Sequence, residues 1–198
     1  MRKFDRDSLP HMVWRSCHLF RKRWYRFWMQ LLARWWGISL GHNCTFHGHA
    51  CFRRYPRSTI RIGENCNFNS LSASNLIGVN RPCIISTLSE KAEIIIGDGC
   101  GFSGTVIGSN KGIVIKENVK CGANTLITDT DWHTDDPRAG ADAPITIERN
   151  VWLGANVTVL KGVTIGENTM VGTGSLVIHS LPPNVVAAGS PARVIRPI

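Results

Sequence analysis

This 198-residue chain has no apolar run long enough to cross a bilayer, because charged side chains interrupt its most hydrophobic stretch every few residues. It also lacks a clean apolar region followed by a small-residue cleavage site behind its basic start, so that start does not read as a signal peptide. Its cysteines number seven, an odd count, and none forms a C-x-x-C pair. A fully paired disulfide framework is therefore excluded, and reduced thiols in a cytoplasmic setting are expected. A basic stripe over the body is missing too. Residues 1–36 hold nine Lys/Arg and two Asp, net +7, which leaves only +2 of the formal +9 for the other 162 residues. That distribution argues against nucleic-acid binding by the body of the protein. Between Phe52 and His179 the chain has one histidine, His133, too few for a three-histidine zinc site in its middle.

What the chain does have is a six-residue beat. Ile147, Leu153, Val159, Ile165, Val171 and Val177 are one hexad apart and all branched and apolar. A helix of 3.6 residues per turn would carry such a row around its surface, and a plain strand would repeat every second residue. Three short strands of about six residues each, closing one triangular coil, account for it: an all-β, left-handed parallel β-helix in which each anchor points into the prism. The same phrase is spelled at Leu40-Gly-His-Asn-Cys, Ile62-Gly-Glu-Asn-Cys, Ile96-Gly-Asp-Gly-Cys, Ile115-Lys-Glu-Asn-Val, Ile147-Glu-Arg-Asn-Val and Ile165-Gly-Glu-Asn-Thr. Gly and Asn tolerate the left-handed backbone of a tight corner, and a small Cys, Val or Thr fits inside it. On this reading Cys44, Cys66, Cys100 and Cys121 are small core residues. The set His42, Cys44, His47, His49 and Cys51 has a metal-like composition but no standard zinc spacing, so no metal is expected.

Residues 1–37 form a separate basic segment, and residues 38–198 the coil. Five of the seven tryptophans (Trp14, Trp24, Trp28, Trp35, Trp36) lie between His11 and Trp36. A helical projection puts Val13, Cys17, Phe20, Trp24, Phe27, Leu31 and Trp35 on one stripe and Arg15, His18, Lys22 and Arg26 on the other. Several readings stay open: an interfacial membrane anchor over residues 11–36, a cap over the open first coil or an oligomer contact, and a calmodulin-like or nucleic-acid role.

The hexads break between Asp129 and Pro144, where polar residues, Gly and Pro must bulge out as an excursion loop. His133 stands in it among Asp129, Asp131, Asp135 and Asp136. An imidazole titrates near neutrality and suits general-base work.

With Pro144-Ile-Thr-Ile-Glu-Arg-Asn-Val-Trp-Leu-Gly-Ala, Val163-Thr-Ile-Gly-Glu-Asn, Gly172-Thr-Gly-Ser-Leu-Val and Ala188-Gly-Ser-Pro-Ala-Arg-Val-Ile, residues 60–198 resemble the hexapeptide-repeat acyltransferases. Within that family they look most like the maltose and galactoside O-acetyltransferases and polysaccharide-modifying acetyltransferases. The resemblance implies a homotrimer that transfers acetyl from acetyl-CoA to a saccharide hydroxyl, with His133 as base, Asp131 orienting it or receiving the sugar, and no covalent acyl-enzyme. It implies cofactor contacts at Trp152, Gly154, Ala155, Gly172, Thr173, Ile178, His179, Arg193 and Arg196, with an oxyanion donor in the Gly154-Ala155 turn. Acceptor contacts would fall at Ser103, Asp131 and Trp132. Ser103 stands where the family's sugar enzymes commonly carry Asn, and the basic aromatic segment replaces their helical substrate domain. A membrane-proximal acceptor, such as a lipid-linked sugar or surface-polysaccharide precursor, would reconcile both departures. Two other readings fit these residues: a small-molecule acetyltransferase acting on an antibiotic, amino sugar or serine, and a non-catalytic membrane-docking scaffold.

Overall fold

A computed structural model describes residues 9–133 and 135–198, without the side chains of residues 10, 11 and 14–20. Cys17, Phe20, Arg15 and His18 of the two helical stripes, and Trp14, thus lie outside the described side chains.

The coil is built as the hexads require. Its first face stacks Ser39–Leu40, Thr59–Ile62, Glu93–Ile96, Gly112–Ile115, Ile145–Ile147 and Thr164–Ile165. A second face stacks Thr45–His47, Asn67–Asn69, Gly101–Ser103, Lys120–Ala123, Trp152–Leu153 and Met170–Val171. It is closed by an antiparallel hairpin of Val185–Gly189 and Ala192–Pro197. A third holds Cys51–Arg53, Ile84–Thr87, Val106–Ser109, Leu126–Thr128, Thr158–Val159 and Leu176–Val177. The chain visits the faces in rotation and every pairing between successive coils is parallel. All six anchors from Ile147 to Val177 are fully buried.

The corner chemistry explains the recurring phrase. Asn43, Asn65, Asn118, Asn150, Asn168 and Asn184 all take φ between 56° and 59°, as Gly99 does at 70°. This is the left-handed region that Asn and Gly enter at least cost. Their amides also ladder from coil to coil: Asn150 donates to Asn168 at 3.1 Å and Asn168 to Asn184 at 2.8 Å. Inside the same corner the thiols of Cys44, Cys66 and Cys100 donate to the carbonyls of Gly63, Gly97 and Lys116 in the next coil. Hydrogen bonding from the neighbouring thiol Cys100 and burial push Cys66 up to about 12, so it stays protonated. The rings of Phe46, Phe68 and Phe102 stack at 4.9 and 5.2 Å, close to the spacing of hydrogen-bonded strands, and fill the wide early core.

Helix α1, Leu9–Trp35, covers the open first coil. Met29 and Ala33 enter the core, with Tyr25, Leu32 and Trp36 packed beside them. The sequence stripe is therefore not the packed one: Val13, Trp24, Phe27, Leu31 and Trp35 are exposed, while Lys22 and Arg26 of the opposing stripe are half-buried. The first coil selects the side of the helix that carries Tyr25, Met29, Leu32 and Ala33, followed by Trp36, over the longer aromatic row. The helix stops at Gly37, φ 63°, where Gly37 N–H reaches Arg34 and Ile38 N–H reaches Ala33, a Schellman closure.

Two excursions leave the coil. One is the expected loop between Thr128 and Ile145. The other, residues 71–83, departs between the second and third faces, where the hexads alone lead one to expect a plain corner. It is pinned by Arg81, whose guanidinium donates to the carbonyls of Gly104 and Asn124. Its signal was the 34-residue separation of Ile62 and Ile96, against 18 for Ile147 and Ile165.

Candidate active site

The loop carrying His133 is tied at one corner of the prism, where the third face turns into the first. Asp129, fully buried, accepts from the Ser109 hydroxyl at 2.7 Å and from the backbone N–H groups of Asn110, Lys111 and Gly112 at 2.7, 3.0 and 2.6 Å. Asp142 at the loop's far end receives the Asn110 side-chain amide. Between them Asp131 accepts from Lys161 Nζ at 2.5 Å and from Gly140 N–H at 2.9 Å. Lys161 holds the Asp131 carboxyl below its ordinary range, helped by the Gly140 N–H. The Asp131 carboxylate thus anchors the loop to the next coil, and among the described residues no hydrogen bond joins it to the imidazole. A lysine one coil away competes for the carboxylate, and the sequence gives no sign of that proximity.

His133 follows an unusual turn. Trp132 has φ 67°, and His133 N–H donates across it to the Asp131 carbonyl at 2.8 Å, the rarer and strained form of γ-turn. Holding a bulky residue there costs about 1–2 kcal/mol. The indole lies over Gly108, where an added Cβ would meet Trp132 Cζ2 at 2.6 Å. A glycine on the third face thus makes room for the ring, and the turn leaves the His133 side chain exposed in an open cleft of about 260 Å³ with Asp131, Asp136, Arg138 and Ala139. Strained backbone beside a solvent-facing imidazole is a common mark of a functional position.

The expected cofactor residues divide between corners. Gly154, Ala155, Gly172 and Thr173 lie where the second face turns into the third, in a column of close coil approach. A Cβ on Gly122 would come within 2.6 Å of Ala155 N, one on Gly154 within 2.7 Å of Thr173 N, and one on Gly172 within 2.8 Å of Ala188 Cβ. Coil stacking alone demands these glycines. Gly154 N–H is spent on the Val171 carbonyl at 2.8 Å. Ala155 N–H donates to no backbone carbonyl among the described residues, which leaves it as the available donor of the turn. Arg193, exposed, pairs with Ala188 across the closing hairpin and so sits at the end of that column, while Arg196 lies farther along the same strand and donates to the Pro197 carbonyl. Ile178 and His179 fall instead at the loop's corner, one coil beyond Leu160 and Lys161. Trp152, half-exposed, lines a separate cleft of about 320 Å³ on the second face with Asn118, Lys120, Asn150 and Val151.

Ser103 is brought to neither place as a free group. It is buried, and its hydroxyl accepts from the amides of Asn69 and Asn75 at 3.1 Å each. Its hydroxyl bolts the second face to the 71–83 excursion. His42, Cys44, His47, His49 and Cys51 also scatter: Cys44 points inward, His49 is exposed and packs its ring edge on Tyr25 at 5.0 Å, and Cys51 is exposed.

Residues 144–179, within these parallel coils of hexads, match the family model "Bacterial transferase hexapeptide (six repeats)". More particularly, the chain is 60% identical over 55 residues to the galactoside O-acetyltransferase of Escherichia coli, covering 28% of this chain and 27% of that protein. It is 38% identical over 144 residues to the galactoside O-acetyltransferase of Lactococcus lactis, covering 69% of this chain and 62% of that one. The matched region thus spans less than two thirds of either relative. Among solved structures, a Bacillus cereus N-acyltransferase, AntD, bound to dTDP-4-amino-4,6-dideoxyglucose and coenzyme A, superposes with a TM-score of 0.64 at 21% identity, over 85% of this chain and 88% of that one. A Vibrio cholerae hexapeptide-repeat acetyltransferase complexed with acetyl coenzyme A gives 0.52 at 23% identity, over 80% and 70%. At these identities the likeness is one of fold.

Proposed function

We propose that the chain is an acetyl-CoA-dependent O-acetyltransferase acting on a saccharide hydroxyl of a surface-polysaccharide or lipid-linked precursor. Residues 1–37 would form an appendage to a left-handed coil domain of residues 38–198 with its catalytic loop at 129–144. The left hand is argued from the hexad repeat, three short strands of about six residues to a coil. A cytoplasmic location is argued from the unpaired thiols of six described cysteines. The observation that carries the reading is His133, exposed on a strained and multiply tethered turn.

In the proposed reaction His133 takes the acceptor hydroxyl proton while that oxygen attacks the thioester carbonyl. Ala155 N–H stabilises the tetrahedral oxyanion. Collapse expels the CoA thiolate, which takes up the proton held on the imidazole. Trp152, Gly172 and Thr173 would flank the pantetheine arm. Arg193 and Arg196, always cationic, would meet phosphate.

Distance supports a site shared between copies, which the proposed reading takes as a homotrimer. Within one chain the Ala155 corner and the loop corner lie at opposite edges of the third face, about six extended residues or about 20 Å apart. A base and an oxyanion donor need to be within hydrogen-bond reach of one reacting centre. Placing the loop corner of one protomer, with Ile178 and His179, against the Ala155 corner of its neighbour meets that requirement.

Replacing His133 with Ala should lower kcat by about 10²–10⁴-fold, read as free CoA released with saccharide acceptors, while CoA binding and sedimentation mass stay unchanged. Near-normal turnover in this variant removes His133 from the role. Preference for an amine over a hydroxyl in the same assay would favour the small-molecule reading, and absence of CoA binding the non-catalytic one.

A further inference from the structure

The packing of α1 leaves a second, unused apolar face. Its inward side is committed to the first coil through Met29 and Ala33. Outside, Trp24, Phe27, Trp28, Leu31 and Trp35 are all exposed, Trp35 at 84% and Phe27 at 56%. The helical period puts these five within an arc of about 100°, along about 16 Å of axis. Trp28 meets Trp24 and Phe27 edge to face at 5.7 and 5.8 Å, so the rings form one continuous patch. The same period sets exposed Arg23 and Arg34 along one border of the patch and exposed Arg21 along the other. From Leu9 to Trp35 the helix holds six Lys/Arg and no Asp or Glu.

We propose that this outer face of α1 docks the protein on an anionic lipid surface, with the helix lying in the interface plane. Tryptophans and Leu31 would sit at the boundary of headgroup and acyl chain, and the flanking guanidinium groups on lipid phosphates. Charge complementarity selects this occupant, because a wholly cationic border opposes its own copy in a symmetric contact and suits a negative sheet. No helix among the described residues is long and apolar enough to cross a membrane, which fits a helix lying on the surface. Because the inner face already grips the coil, docking needs no unfolding of the cap and would hold the whole prism at the membrane. The proposal does not rest on the transferase reading.

The test is co-sedimentation of the full chain with phosphatidylcholine vesicles and with phosphatidylcholine vesicles containing phosphatidylglycerol. Expected is binding at least about tenfold tighter to the anionic vesicles, weakening with salt. The combined variants Trp24→Ser, Trp28→Ser, Trp35→Ser and, separately, Arg21→Gln, Arg23→Gln, Arg34→Gln should each lose about tenfold or more. All six positions are solvent-facing, so circular dichroism and thermal midpoint should be retained. No binding, equal binding to both vesicle types, or binding unchanged in the tryptophan variant overturns the proposal. So does a change in the variant's sedimentation mass without lipid, which would make the patch a contact between copies of this chain.

Discussion

The coils before the excursion at 129–144 and those after it solve the same geometric problem in different ways. After it, Ile147 to Val177 repeat without interruption, the inward positions are aliphatic, and the corners are held by an Asn ladder. Before it, the interior is wide enough for a stack of three phenylalanines, the corners hold thiols bonded to carbonyls, and an excursion at 71–83 is bolted on by Arg81 and Ser103. The family model matches within the regular part. Regularity marks the repeat that the family describes, and the two halves differ in what fills and pins each coil.

If the early core is a tight aromatic stack and the late one a row of small anchors, truncation to Ala should cost more in the early core than in the late one. Phe68→Ala opens a ring-sized void between two stacked rings and should destabilise by about 3–5 kcal/mol. Val171→Ala removes two carbons from a fully buried anchor and should cost about 2 kcal/mol at the area rate. Guanidinium unfolding of the two variants against the parent chain measures both. Equal losses would mean that the aromatic coils relax around the void, and the contrast would fail.

The same divide explains what could be read from the sequence. The hexads, the Asn and Gly corners and the boundaries of the 129–144 loop follow from local spacing, because each coil constrains residues 18 apart in the same way. His133 was legible as the one imidazole of that loop. The partners of the loop carboxylates were not, since Lys161 meets Asp131 only through coil stacking 30 residues away. Nor was the side of α1 that packs. The aromatic row is the stronger amphipathic signal, yet the first coil selects Met29 and Ala33, a tertiary choice that the helical period does not encode. The partner of Ser103 was hidden for a similar reason: Asn75 lies in an excursion whose trace is a long gap between repeats.

The loop itself bridges the two parts and tests them separately. Asp129 binds it to residues 109–112 of the earlier coils, and Asp131 to Lys161 of the later ones. Asp129→Ala would strand three backbone N–H groups that are now paired with the carboxylate, at about 1–3 kcal/mol for each that stays dry. Partial hydration should bring the loss to about 2–4 kcal/mol, and hydrogen exchange should show protection falling at residues 109–112 as well as in the loop. Loss confined to the loop would mean that the earlier coils do not depend on this carboxylate.

The Asp131 tether is expected to be weaker and sensitive to acid. Its side chain is 42% exposed and its partner Lys161 23%, so solvent screens the pair. Because Lys161 lowers the carboxyl's pKa in the folded chain, the tether is fully present above the ordinary Asp value of about 4 and is lost as pH falls through the lower folded value. Exchange protection of Gly140 N–H, corrected for intrinsic rates, should therefore drop on acidification in the parent chain. In Lys161→Met it should start lower and its acid step should move up toward the ordinary carboxyl range, while residues 109–112 remain protected in both. An acid step at an unchanged pH in that variant would mean that Lys161 does not set the tether, and that the later coils hold the loop by the hydrogen bond from Gly162 N–H to the Ala143 carbonyl instead.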